Sequence, residues 1–433
     1  GLDRGHPALT RFLLLLLLIV IGIPIFLLLS GIQRSPLVAP PDDMRHADAG
    51  RITDLLKQHD PRNLRDGEIR RLDISARDLN LMLSSVLPAN SKQFARLDLD
   101  GSYANVRYTL TLPENPLGSY LNLSAQLGQH GQRLELQQLK FGDVALPAWL
   151  TTALVNGADR LLRSRSANYR DVIGTLKDIQ LNPHSLTIVY QWQSGLAERL
   201  RSTGRDLLLP PAERQRIVTY YTEISRLSQN LPRSTISLDQ LLRPLFALAE
   251  KRSDENREPV PENRALLLAL GLAVSGSDIR TLVGERDGAG IQAPLPLKLT
   301  LGGRSDLSSH FAISAAITAA GGSALADNVG VFKEVDDSRG GSGFSFADLL
   351  ADRAGVSLAE TALGPQAAAL QRYMTNEIGE AGYMPAFDHL PEGLMALEFK
   401  ARYEDLDSAT YALINKEIEY RIRSCTIHQP GFG

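Results

Sequence analysis

The run FLLLLLLIVIGIPIFLLLSGI, residues 12–32, carries no charged side chain. It is long enough to cross the hydrocarbon core of a bilayer as a helix, and this constrains the chain more than any other feature. Gly22 and Pro24 lie inside the run, and membrane helices tolerate both residues. Arg4 and Arg11 precede it, while Arg34 is soon offset by Asp42 and Asp43. That bias directs the N-terminus to the cytoplasm and the remainder outward. No A-x-A cleavage pattern follows, which favours an uncleaved anchor over a signal peptide. The expectation is a single-pass protein of a bacterial inner membrane, with the bulk of the chain in the periplasm.

The 433 residues suggest two or three domains. With 43% hydrophobic and 22% charged residues the chain has globular composition. Its net charge of −3, with no long basic tract, argues against nucleic acid as a partner. Cys425 is the only cysteine, which excludes an intrachain disulfide, a CxxC redox site and a cysteine-rich zinc module. Oligomeric state stays open.

The expected fold class is α+β: an N-terminal transmembrane helix, an antiparallel sheet gripped by helices, then a mostly α-helical domain. Residues 1–33 read as cytoplasmic stub and anchor, and 34–50, rich in proline and acid, as a stalk. Residues 51–193 read as the helix-on-sheet domain. ISARDLNLMLSSVL has a Ser75–Asp78 capping spacing, with Leu79, Met82, Leu83 and Val86 on one helical face. YANVRYTLTL, SYLNLSAQL, QRLELQQLK and SLTIVYQW alternate apolar and polar residues, as antiparallel strands with one apolar face do. Helices around 148–163 and 167–177 would cover that face, leaving either a closed core or a hydrophobic groove for an acyl chain. Residues 194–258 read as a helical connector, bounded by the polar stretch KRSDENREPVPEN. Residues 259–433 read as an α-helical domain. RALLLALGLAVSG is too short to span a bilayer and fits a buried helix. Tyr411, Ile414, Ile418 and Ile422 form one core-facing stripe.

The helical domain also holds the candidate site. KEVDDSRGGSGFSFADLLAD, residues 333–352, crowds acids and cations around glycines beside Phe344 and Phe346. An alanine-rich helix over 308–322 carries His310, a second helix follows in ALADNVGVFKEVDD, and Ser345 is placed to cap a third. Asp348 and Asp352, four apart on that third helix, repel unless a cation lies near: Arg339, Arg353, Lys333 or a bound metal. Arg339 with the amides of 340–343, Gly341, Ser342 and Gly343 among them, suits an anion. Glu334 and His310 are the acid–base candidates, with Asp337 as a counterpart, and Asp348 and Asp352 orient them or bind a cation. The bland alternative is a solvated or internally paired helix–loop–helix.

HF-x-x-SAA at 310–316, KE-x-x-DSR at 333–339, GSGFS at 341–345 and DL-x-x-D at 348–352 together resemble the YfiM-type periplasmic lipoprotein family. The resemblance covers residues 304–360 and carries over His310, Lys333, Glu334, Asp337, Arg339, Ser342, Asp348 and Asp352. This chain lacks a lipobox cysteine and has Leu350 where the family commonly has alanine. The resemblance implies an envelope location and a site, and no reaction.

Three chemistries fit these residues to different degrees. A divalent cation held by His310, Glu334, Asp337, Asp348 and Asp352 has a permissive ligand set and no HExxH. Cleavage of a glycan by Glu334 with Asp337 or Asp348 fits the compartment. A serine nucleophile is disfavoured, since GGSGF departs from G-x-S-x-G. FDHLPEG, with Asp388, His389 and Glu392, reads as a loop leading into a helix. The leading expectation is recognition, either alone or together with processing, of an amphiphilic or anionic envelope component, a lipid headgroup or glycan, and whether the protein is an enzyme stays open. The alternatives are a non-catalytic assembly scaffold and a peptidoglycan or phosphoester hydrolase using Glu334 and His310.

Overall fold

In the computed structural model the described residues are 23–39, 65–86, 93–196 except 114 and 167, 199, 202–203, 209–321 except 233–234, and 343–432 except 377–378, 407 and 430–431. They form two compact units, one ending at residue 199 and one running from 202. The architecture is mixed α and β, with antiparallel sheets in the first unit and mostly helices in the second.

The sheet unit opens with a short apolar helix, α1 (Ile23–Gly31), followed by β1 (Ile32–Gln33). The rest of the expected span, residues 12–22, lies outside the described residues. Among the described residues no helix is long and apolar enough to cross a membrane. β3 (Gln93–Leu99), β4 (Tyr103–Thr111), β5 (Tyr120–His130), β6 (Arg133–Phe141) and β7 (Val144–Ala145) form an antiparallel meander. Its register aligns the alternation read from the sequence: Leu97 lies opposite Val106, Val106 opposite Ala125, and Ala125 opposite Leu139. Because side chains alternate between faces, this stacks the apolar residues on one side.

SLTIVYQW does not join that meander. It forms β9 (Ser185–Gln191) in a separate three-stranded sheet, between β2 (Ile69–Ser75) and β8 (Leu176–Leu181). α2 (Ala76–Val86) follows β2 and packs on β3. Its first turn is capped as expected, with the Asp78 amide donating to Ser75 Oγ at 3.1 Å.

The expected stalk begins differently. β1 pairs with β5, and the amides of Leu37 and Val38 donate to Thr109 Oγ1. Asn122, buried on the polar face of β5, donates to Gln33 Oε1 and to the Ser35 carbonyl and accepts from the Leu37 amide. Residues 32–38 are therefore tied to the sheet, because two polar side chains from neighbouring strands offer partners to backbone groups that a stalk would leave to water. Residues 40–50 lie outside the described residues. The helices expected to cover the sheet, α3 (Ala148–Arg165) and α4 (Tyr169–Thr175), form, but α3 buries only Thr151.

In the helical unit, α5 (Pro211–Asn230), α6 (Asp239–Asn256) and α7 (Pro259–Val274) share one core. The segment expected as a connector is thus built into the unit, and the stretch expected as a boundary is its interior turn. Arg257 takes a left-handed conformation to end α6. Glu262, fully buried in α7, pairs with Arg216 and Arg252 and accepts from Tyr220 Oη at 2.7 Å. The polar stretch expected as a boundary lies within the unit because its charge at Glu262 is satisfied internally. RALLLALGLAV is a buried helix, with Leu266, Leu267 and Leu270 shielded from solvent. α8 (Ser305–Gly321) and α9 (Phe346–Leu363) cross α7, and α10 (Ala367–Asn376), α11 (Ala396–Tyr403) and α12 (Ala409–Arg423) close the unit. Tyr411, Ile418 and Ile422 of α12 are buried, with Ile414 packed beside them.

Candidate functional site

α8 and α9 meet closely because Gly355 has no side chain. A Cβ there would stand 2.1 Å from the Phe311 carbonyl oxygen. One turn before Gly355, Asp352 faces His310, the neighbour of Phe311. His310 Nδ1 lies 3.1 Å from both carboxylate oxygens of Asp352, and Ser314 Oγ donates to Asp352 Oδ1 at 2.7 Å. Ser314 stands one turn after His310 on α8, so one carboxylate gathers two residues from a single helix face. On the other edge of the ring, His310 Nε2 is 3.6 Å from Asp348 Oδ2. The ring thus stands between Asp348 and Asp352, with one nitrogen toward each carboxylate.

Ser345 caps α9 as expected, accepting from the Asp348 amide at 3.1 Å. Ahead of it, Gly343 adopts φ 86°, and a Cβ there would sit 2.4 Å from the Gly393 carbonyl carbon. That contact belongs to a strap: Phe344 and Leu394 exchange backbone hydrogen bonds at 2.8 and 3.0 Å. The strap brings Glu392 beside the cleft. There Arg304 Nη1 donates to both Glu392 oxygens at 2.8 and 2.7 Å, and Arg304 Nη2 to Asp306 Oδ2 at 2.6 Å. Asp348 Oδ1 is 3.7 Å from the same guanidinium. Hydrogen bonding from Arg304 holds the Asp306 carboxyl below the usual carboxylate range.

The result is a cleft of about 510 Å³ lined by Arg304, Asp306, His310, Gly343, Ser345, Asp348, Glu392 and Gly393. Its described lining sets three carboxylates against one guanidinium that they already engage. Such a surface attracts hydroxyl and amino groups more than phosphate or carboxylate.

Of the residues expected at the site, His310, Gly343, Asp348 and Asp352 come together. Lys333, Glu334, Asp337, Arg339, Gly341 and Ser342 lie outside the described residues. Arg353 turns away, donating to Asn415 Oδ1 at 3.2 Å. From FDHLPEG, Glu392 joins the cleft. His389 takes a left-handed turn, and the Asp388 carbonyl accepts from Arg421. Arg304 and Asp306 are not among the residues expected at the site, and Ser314, quoted within HF-x-x-SAA, carries no expected role despite its helical spacing from His310. Among the described residues, no three His, Cys, Asp or Glu side chains are grouped to hold a metal ion.

No family model, curated protein or solved structure matches this chain.

Proposed function

We propose that this is a membrane-tethered protein of the bacterial cell envelope whose helical unit binds a hydroxyl-rich envelope molecule, a glycan, and acts on it through His310. The observation carrying this reading is the imidazole held on Nδ1 by a buried carboxylate while Nε2 stands with Asp348 at the cleft. An acid–base group needs that arrangement: one nitrogen fixed by an orienting partner, the other within reach of a transferable proton. His310 takes a proton from a hydroxyl or water and returns it to the departing group, Asp352 orients the ring, and Ser314 steadies Asp352. Asp306, Asp348 and Glu392 accept from sugar hydroxyls. The acid excess makes a glycan a better fit than an anionic lipid headgroup, and Arg339 with the 340–343 amides remains a proposal for any anionic substituent. The envelope setting rests on the uncharged residues 12–22 that lead into α1, and on a resemblance of residues 304–360 to the YfiM-type family that no family model matches.

The test is digestion of isolated peptidoglycan by the full chain in detergent, with released fragments identified by mass spectrometry. Wild type is expected to release defined fragments, with losses of about 100-fold or more for His310→Gln. Asp352→Asn is expected to lose less, and all three proteins should have the same circular dichroism. Equal release from wild type and His310→Gln, or none from any, would leave the pair as a clamp that fixes the register of α8 and α9, a structural role polar networks also play.

A further inference from the structure

We infer that α3 lies flat on an anionic lipid surface and forms a second, interfacial membrane contact of the sheet unit. The inference rests on the tethered reading above and on three features of the helix.

The first is an apolar stripe that stays exposed among the described residues. Trp149, Ala153, Leu154, Gly157 and Leu161 recur at helical spacing along one side of α3. Trp149 is 65% exposed and Leu161 53% exposed, while Thr151 on the opposite side is the only buried residue of the helix. A helix of eighteen residues with one buried side chain is not held by its own core. The second feature is charge. Arg160, Arg163 and Arg165 occupy its C-terminal half and Arg170 follows in α4, against the acids Asp159 and Asp171. Asp159 pairs with Arg163 at 2.6 Å, while Arg160 and Arg165 make no ion pair among the described residues. A tryptophan-bearing apolar stripe flanked by arginines matches helices that rest at the boundary of headgroups and acyl chains.

The third feature is position. The chain enters the described sheet unit from the uncharged run through α1, whose Phe26 and Leu29 are exposed. α1 packs against β5, β6 and β7. Ser30 Oγ donates to the Phe141 carbonyl at 3.4 Å, and Gln33 Nε2 to Asp143 Oδ2 at 2.9 Å. α3 starts three residues after β7, and the Leu146 amide anchors that junction to the Leu139 carbonyl at 2.8 Å. The end of the sheet that receives the apolar run is therefore the end that launches α3. Because residues 32–38 are tied to the sheet, no slack separates α1 from it.

The chain has two tryptophans, so Trp192→Phe leaves Trp149 as the only indole. The test is fluorescence of the full chain carrying Trp192→Phe, in vesicles of phosphatidylcholine with or without phosphatidylglycerol, each prepared with and without bromine-labelled acyl chains. Flotation of the vesicles is followed in parallel. The expected result is blue-shifted Trp149 emission, quenched by the bromolipid at least about twofold more strongly in the anionic vesicles. Arg160→Gln with Arg165→Gln should remove that difference without changing the circular dichroism. Trp149→Ser should leave the chain floating. Flotation with emission typical of water-exposed indole and no quenching overturns the interfacial contact and leaves the tether standing. Failure to float overturns both. Equal quenching in both vesicle types refutes the charge-selective form stated here.

Discussion

The two units handle apolar surface in opposite ways. In the helical unit Ile217, Leu241, Leu266, Phe311 and Leu350 are completely shielded, and one continuous core runs through it. In the sheet unit Leu97, Val106, Leu123 and Leu139 stay half-buried, although register stacks them on a single face. The sheet unit is held by strand ladders and by polar hubs such as Thr109 and Asn122. The helical unit is held by packing, with charge admitted only where it is fully paired, as at Glu262. Hydrophobic burial is the main favourable term in folding, so the helical unit should be the more stable. The sheet unit retains apolar surface for other uses.

Substitutions can break or sharpen that contrast. The largest effect is expected for Phe346→Ala, which empties a fully buried place among Phe344, Tyr403 and Tyr411. It should cost the helical unit about 4 kcal/mol in chemical denaturation. Glu262→Gln should cost about 3 kcal/mol, since it leaves Arg216 and Arg252 without their buried partner. Burial raises the Glu262 carboxyl, but hydrogen bonds from Arg252, Tyr220 and Asn256 outweigh it and hold the group below its ordinary value. A carboxyl lowered by folding contributes stability that is complete above its unfolded pKa and lost as pH falls through the folded one. Glu262→Gln should therefore flatten part of the acid limb of the stability–pH curve.

Gly355→Ala should cost about 2 kcal/mol, because the added methyl meets the Phe311 carbonyl and forces α8 from α9. It should also weaken the His310–Asp352 contact, visible as a change in the His310 ring resonances. In the sheet unit Asn122→Ala should cost about 1 kcal/mol and act locally, accelerating hydrogen exchange at Leu37. Leu123→Ala, at a half-buried position, should cost less than about 1 kcal/mol. An effect there as large as that of Phe346→Ala would show that the sheet face is covered as tightly as the helical core.

What the sequence disclosed follows the same division. Alternation in β4, β5 and β6 was legible because each strand carries its own period, and the caps at Ser75 and Ser345 because they depend on residues three apart. β2 escaped notice because Arg70, Arg71 and Asp73 interrupt its apolar residues. Its place is set by β9, more than a hundred residues on. At the site, His310, Asp348 and Asp352 were legible from helical spacing and the need of paired acids for a cation. Glu392 was not, since the strap between Phe344 and Leu394 brings it beside Arg304 from 88 residues away and nothing local encodes it, whereas Asp306 carries the same helical spacing from His310 that Ser314 does. The boundary expected near 251–263 failed for a related reason: a run of charge looks the same whether water or Arg216 and Arg252 satisfy it.

The central claim, that His310 is an oriented acid–base group at a ligand-taking cleft, is tested most directly by nitrogen NMR of its ring in the full chain, with and without soluble peptidoglycan fragments. The account predicts that saturating fragments shift the Nε2 signal while Nδ1, held by Asp352, keeps its position, and that Asp352→Asn abolishes this asymmetry. Two nitrogens that ignore every fragment, in wild type and variant alike, would contradict it.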